Sequence, residues 1–198
     1  MIYSVLYKFI RAVLIIIPIL VLGWLGVNKL VPSGRMEAVY DMKKETPFIS
    51  KLYPKDRVLE IKKIVNGDFY RSILVEPVYF DLKPNNQFEK VAITLKYKIS
   101  GQTTLKMGGL INKKDWLFDF RELGARENKW QSQTEIFDFS RLVSEGSNFR
   151  FGFSAPEMKS GQIEISEIKV VFERNQLTPK EVINKIFDAV AWRLNKLF

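Results

Sequence analysis

The chain reads as an all-β protein: an antiparallel, jelly-roll-like β-sandwich with a transmembrane helix before it and an amphipathic helix after it. Three observations carry that reading. Apolar and polar residues alternate with period two through the middle of the chain. Turn residues punctuate the alternation at short intervals. Near the start stand 16 residues without a charge, most of them aliphatic.

That apolar run is Ala12 to Val27 (AVLIIIPILVLGWLGV), with Lys8 and Arg11 before it and Lys29 and Arg35 after it. As a helix it covers about 24 Å of a hydrocarbon core roughly 30 Å thick. Val5, Leu6, Phe9 and Ile10 extend the apolar surface, and Lys8 and Arg11 can lift their charges to the head groups. Tyr3, Tyr7 and Trp24 stand at interfacial depths, and a membrane helix tolerates Pro18. A cleaved signal peptide has a similar basic start and apolar centre. The continuation VNKLVPSGRMEA offers no A-x-A-like site, however, and there is no cysteine for a lipid anchor. The expectation is an uncleaved anchor over residues 1–30, meeting the lipid bilayer through residues 5–30. Basic residues on the two sides nearly balance, but a short head and a long following domain favour an amino terminus inside and an extracytoplasmic body. This places the body in a cell envelope.

Residues 31–55, with Pro32, Gly34, Pro47 and Pro54, read as a linker. The sandwich is expected over 56–176. Its clearest strand is Val91, Ile93, Leu95, Tyr97 and Ile99, alternating with Ala92, Thr94, Lys96 and Lys98 as a half-buried antiparallel strand does. Phe149, Phe151 and Phe153 alternate with Arg150, Gly152 and Ser154. Ile163 and Ile165 are followed, one residue out of step, by Ile168, Val170 and Phe172, which predicts a bulge. Weaker strands are expected at 57–65, 69–75, 78–82, 103–107, 116–120 and 135–139. Asn66-Gly67-Asp68, Ser100-Gly101, Gly108-Gly109 and Glu145-Gly146-Ser147 mark turns between strands. Many short strands without intervening helices argue for a sandwich or barrel.

The chain closes on an amphipathic helix, expected over 178–198. Thr178 caps it, Pro179 opens the first turn and Glu181 stands third after the cap. Val182, Ile183, Ile186, Phe187, Val190, Ala191, Leu194, Leu197 and Phe198 fall on one face. Three places could bury that stripe: the chain's own sandwich, the membrane interface or a protein partner.

Composition removes much chemistry. With no Cys and no His there is no Ser-His-Asp or Cys-His nucleophile system, no standard zinc site and no disulfide. No cofactor, metal or catalytic residue is expected. The net charge of +9 suits anionic partners such as phospholipid head groups or an anionic envelope polymer, but the charges are spread along the chain. Lys90, Lys96 and Lys98 share one strand face; without a recognition motif this disfavours nucleic acid.

The stretch from about Asn66 to Arg174 resembles the jelly-roll sandwiches of carbohydrate-binding modules and galactose-binding-like domains. The ending Phe149-Arg-Phe-Gly-Phe-Ser…Gly161-Gln-Ile-Glu-Ile-Ser-Glu-Ile-Lys-Val-Val-Phe carries the likeness. It is a likeness of strand pattern, and no family binding residue transfers by a matching motif. It implies two sheets and is compatible with sugar binding.

Sugar binding uses aromatic platforms beside polar hydrogen-bonding groups. Trp116 and Trp130, with Asp115, Arg121, Arg126 and Asn128 close in sequence, are the expected ligand-binding residues. The competing reading packs Trp116 inward on a strand and lays Trp130 over a loop. Asp119 and Asp138, each between two phenylalanines, are expected to face outward while the aromatics face the core. Carboxylates are plentiful, but nothing in the sequence selects a pair for hydrolysis. The function expected is therefore a membrane-anchored, non-catalytic binding module, with an envelope glycan as ligand. The alternative is a structural or accessory subunit of a membrane-associated assembly, contacting a protein partner through the 182–198 helix. A carboxylate hydrolase stays a distant third.

Overall fold

Among the described residues eleven strands pair into two antiparallel sheets, as a computed structural model shows. It describes residues 33–64, 67–84, 88–101, 103–124, 126–156 and 162–178, together with 7, 10, 11, 13–17, 21, 23, 24, 180–182, 184 and 185. The chain divides into two compact units: Met36–Arg174, and Met1–Arg35 with Asn175–Phe198.

In the larger unit the first sheet has the order β2-β3-β11-β5-β8, with β1 also on β11. These strands are β1 (Arg35–Tyr40), β2 (Lys62–Lys63), β3 (Phe69–Ile73), β5 (Lys90–Ser100), β8 (Gln131–Asp138) and β11 (Gln162–Glu173). The second sheet runs β4-β10-β6-β7, with β9 also on β10. Its strands are β4 (Val78–Leu82), β6 (Leu105–Asn112), β7 (Leu117–Leu123), β9 (Ser144–Glu145) and β10 (Asn148–Ser154). The register of β11 on β5 shifts between Ile165 and Glu167, where the sequence pattern slips by one residue. The bulge keeps Ile163 and Ile165 on the same inner face as Ile168, Val170 and Phe172, all of them fully buried.

The core is what the alternation puts between the sheets. Val91, Ile93, Leu95, Tyr97 and Ile99 of β5 point inward and are buried. Val78, Phe80, Leu82, Phe151 and Phe153 answer them from the second sheet. Phe80 stacks on Phe153 at 5.3 Å and on Phe151 at 5.6 Å. Phe137 of β8 meets Phe151 edge-on at 5.1 Å, joining the two sheets through one aromatic contact. The seam between β7 and β8 is polar. Arg121 donates to the Ile136 carbonyl at 2.6 Å and pairs with Glu135 at 3.4 Å, its guanidinium lying over the Phe137 ring. Tyr97 sends its hydroxyl to the Gly124 carbonyl, and burial pushes that phenol up to about 12.

Four expectations differ in detail. Gly108-Gly109, expected as a turn, lies inside β6, where Gly108 allows close approach of β7. Residues 31–55, expected as a linker, contain β1, and Tyr40, Met42, Ile49 and Leu52 are buried. Their side chains are apolar enough to belong to the core, and Tyr53 exchanges backbone hydrogen bonds with Tyr79 at 2.7 and 2.9 Å. The strand expected at 57–65 is a short 3-10 turn at Lys55–Arg57 and the two-residue β2. Asp119 and Asp138 behave oppositely. Around Asp138 the aromatics do face the core, with Phe137 and Phe139 buried. In β7, Phe118 and Phe120 are the residues on the outer face, because that face carries aromatic neighbours of its own.

In the other unit, the described residues 7, 10, 11, 13–17, 21, 23 and 24 are helical. Leu14, Ile15, Ile16 and Ile17 are consecutive and each more than half exposed. The rest of the span expected over 12–27 lies outside the described residues. Among the described residues no helix is long and apolar enough to cross a membrane. Lys180, Glu181, Val182, Asn184 and Lys185 are helical, while most of the apolar stripe expected beyond them lies outside the described residues. The expected cap is present. The Thr178 N–H and hydroxyl both donate to Glu181 at 2.7 Å, and the Glu181 N–H returns to the Thr178 hydroxyl at 3.3 Å. Those bonds hold the Glu181 carboxyl below its ordinary range.

Two substitutions separate core from close approach. Phe151→Ala is expected to destabilise the sandwich by about 3–5 kcal/mol through lost burial and a residual cavity. Gly108→Ala places a Cβ 2.5 Å from the Asp119 carbonyl oxygen, so β6 and β7 must part, and a loss of about 1–3 kcal/mol is expected. Urea unfolding followed by circular dichroism measures both.

Candidate functional site

The outer face of the second sheet is unusual because its middle carries no side chains. Across the strands the register is Tyr79 on β4, Gly152 on β10, Gly108 on β6 and Phe120 on β7. Two glycines therefore lie between two aromatics. A Cβ on Gly152 would stand 3.2 Å from Cε1 of Phe118 and 3.3 Å from Cδ1 of Tyr79, so those rings reach over the bare backbone. Tyr79 stacks on Phe118 at 5.7 Å and 18°, and Phe118 on Phe120 at 5.3 Å and 22°. Tyr53 joins Tyr79 at 5.8 Å, and Trp116 joins it at 6.0 Å. Five rings thus form one contiguous platform, with Trp116 50% exposed and Phe120 36% exposed.

Local sequence explains how Trp116 arrives there. Asn112 Oδ1 accepts from the backbone N–H of Lys114 at 2.9 Å and of Asp115 at 3.3 Å, closing a turn after β6. Asn112 Nδ2 donates to the Asp115 carboxylate at 3.0 Å. Trp116 then adopts a left-handed backbone (φ 50°), which turns its side chain onto the sheet face instead of into the strand.

A charged network borders the platform. The Arg150 guanidinium lies 5.5 Å from the Trp116 ring centre and 5.6 Å from that of Tyr53. Its Nε donates to Asp81 Oδ1 at 3.1 Å and its Nη2 pairs with Glu145 at 3.2 Å. Glu145 also pairs with Lys113 at 2.9 Å, in the same turn as Trp116. The Tyr53 hydroxyl donates to Asp81 Oδ1 at 2.7 Å, and burial together with that carboxylate pushes the phenol well above its ordinary value. Each rim cation thus has a carboxylate partner, while Asp81 and Glu145 keep oxygen lone pairs for a ligand hydroxyl.

Of the six residues expected from the sequence, Trp116 and Asp115 lie in the turn beside this platform. The other four lie elsewhere. Arg121 points to the opposite side of β7, into the seam with β8. Trp130 is half-buried near the other sheet, its ring edge-on to Tyr70 at 6.0 Å. Arg126 and Asn128 are exposed in the β7–β8 connection, where their backbone N–H groups donate to Gln131 at 3.1 Å and to the Ile99 carbonyl at 2.8 Å. Sequence neighbourhood grouped these residues, but a strand sends neighbours to opposite faces. Tyr53, Tyr79, Phe118, Phe120, Asp81 and Arg150 were missed as site residues. The available signal was Gly152 within FRFGFS together with Gly108, small residues at outward positions where a neighbouring ring can lie down, whereas Gly109 faces the core beside Phe151.

Asp119 and Asp138 both line a cavity of about 220 Å³ at the seam. A glycosidase acid needs a raised pKa. Asp138 is held below its ordinary value, first by its hydrogen bonds from Ser140.

The Glu145 carboxyl is likewise held low, first by the Lys113 hydrogen bond and then by the Arg150 charge. A depressed folded value means the pairing stabilises above the unfolded pKa of about 4.3 and is lost as pH falls through the folded one. The indole N–H resonance of Trp116 is therefore expected to hold steady from neutral to about pH 4.5 and to move below it. In Glu145→Gln that acid transition disappears.

No protein-family pattern and no curated protein sequence matches the chain. Among solved structures, it is similar to the CBM22-1 xylan-binding domain of Paenibacillus barcinonensis Xyn10C, at TM-score 0.46 and 12% identity over 70% of this chain and 94% of that one. It is also similar to the xylan-binding module CBM15, at 0.44 and 15% over 73% and 100%. A third is the C-terminal CBM6 of LamC from Zobellia galactanivorans, at 0.43 and 10% over 68% and 98%. The solved structures named here are carbohydrate-binding modules, the group the strand pattern resembles. The two-sheet architecture itself rests on the strand pairing described above.

Proposed function

We propose that this protein is a non-catalytic glycan-binding module held at a membrane by its N-terminal segment, with the glycan lying on the outer face of the second sheet. The five-ring platform is the observation that carries the reading. A pyranose ring has an apolar C–H face and a polar rim. The platform offers aromatic surface for the first, and Asp81, Glu145 and Arg150 for the second. Because Arg150 and Lys113 are already paired with carboxylates, the rim suits a neutral envelope glycan better than a polyanion.

Membrane attachment is supported by the helical, exposed run Leu14–Ile17, whose consecutive side chains point all round the helix. The first 35 residues carry Lys8, Arg11, Lys29 and Arg35 and no acidic residue, which suits anionic head groups.

Full-length protein in detergent is expected to be retained by insoluble neutral polysaccharides. Trp116→Ala and Tyr79→Ala should each weaken binding by about 1–2 kcal/mol, roughly 5- to 30-fold, and Trp130→Ala should leave it unchanged. Failure of every neutral polysaccharide to retain the protein, or wild-type retention by the combined Tyr79→Ala/Trp116→Ala variant, would overturn the reading. Separately, the protein is expected to stay in the membrane pellet after alkaline carbonate washing, and a C-terminal reporter should read as extracytoplasmic. Release by carbonate would remove the anchor.

A further inference from the structure

The cavity at the seam has its own chemistry, independent of the platform. It opens where the edge strand of one sheet, β7, meets the edge strand of the other, β8. Leu142 gives it an apolar wall, Phe137 lies buried beneath the Arg121 guanidinium, and Ile136, 55% exposed, stands at its lip. At about 220 Å³ it has room for one small ring or a compact oxyanion with water.

Its charges divide into committed and uncommitted groups. Arg121 is committed: it donates to the Ile136 carbonyl, pairs with Glu135 at 3.4 Å and lies 3.9 Å from Asp119. Asp138 is committed as well, since its Oδ1 accepts the Ser140 N–H at 2.9 Å and caps the following 3-10 turn. Lys90, at the start of β5, and Arg141, in that turn, line the same cavity and are exposed. Among the described residues neither makes an ion pair or side-chain hydrogen bond. Lys90 pairs in register with Asp138 across β5 and β8, and Arg141 follows Asp138 by three residues, so the two cations enter the cavity from neighbouring backbone positions. The groups free to take a ligand are therefore cationic donors beside an aliphatic wall of Leu142 and Ile136. Such a pair coordinates an oxyanion, and the wall accepts the apolar side of a group that carries it.

We propose that the seam cavity is a second ligand site, in which Lys90 and Arg141 bind a compact oxyanion, with Leu142 and Ile136 beside any apolar part the ligand carries. The oxyanion is a carboxylate borne on a sugar ring or a free inorganic one; both satisfy the same donors. The position of the site, on the narrow side of the sandwich, leaves the platform open to a second ligand.

The test uses the full-length protein in detergent, with amide resonances followed during titration with sodium D-glucuronate, D-glucose and sodium sulfate. Glucuronate or sulfate should shift residues 137–142 and Lys90 and leave Tyr79 and Trp116 unmoved. Lys90→Gln/Arg141→Gln, both at exposed positions, should weaken that binding roughly tenfold or more, and Tyr79→Ala should not change it. Added sodium chloride should weaken it too. Glucuronate bound more tightly than sulfate assigns a sugar-borne carboxylate; sulfate bound as tightly or more so assigns a free oxyanion. Equal shifts from glucose, unchanged binding in the double variant, or no shift at residues 137–142 with any of the three would overturn the proposal. Platform binding of neutral polysaccharide is read in a separate assay, so either site can fail alone.

Discussion

Everything on the outer face of the second sheet depends on the strict alternation along β10. Phe151 and Phe153 are driven inward by burial against Phe80 and Phe137, and that fixes Arg150 and Gly152 outward. A one-residue slip would exchange the two sets. The core then sets the platform's register. The pairing of Phe151 with Phe80 on one side and with Gly109 on the other places Gly152 between Tyr79 and Gly108. The apolar packing inside and the ring arrangement outside are two faces of one constraint.

The polar groups follow from the same register. Arg150 is opposite Asp81 in the β4–β10 pair, so their ion pair is a cross-strand contact rather than a chance approach. Glu145 on β9 reaches the other side of the guanidinium, and Lys113 brings in the turn that carries Trp116. Asp81 and Glu145 thus hold the guanidinium within 5.6 Å of the Tyr53 ring centre and 5.5 Å of that of Trp116. At the seam the logic differs. Arg121 serves the joint between the sheets, whereas Lys90 and Arg141 have no such duty.

Much of this architecture is legible in the residue pattern. The alternation of β5 and β10, the bulge in β11 and the capping box at Thr178 all appear where the pattern puts them, because each depends on local spacing. The position of β1 was not legible. RMEAVY alternates weakly, and nearby prolines suggested a linker; burial of Tyr40 comes from β11, far away in sequence. The platform was only half visible. Trp116 stands out as a residue type, but Tyr79, Phe118 and Phe120 look like core until the registers of β4, β10, β6 and β7 are known. Asp119 misled for the same reason. Two phenylalanines around an aspartate show alternation without showing which face is inside.

The glycine pair has one more consequence, for ligand shape. Adjacent strands in a sheet turn by about 20–25° each, so side chains standing upright on β4 and β7 would splay apart over three strand steps. Here the rings of Tyr79, Phe118 and Phe120 stay within 18° and 22° of one another, because Gly152 leaves space for them to recline over the backbone. The three rings thus keep one orientation across the twist of the sheet beneath them. On the proposed glycan reading, a chain whose successive sugar faces share one orientation suits these rings better than one whose faces turn from unit to unit.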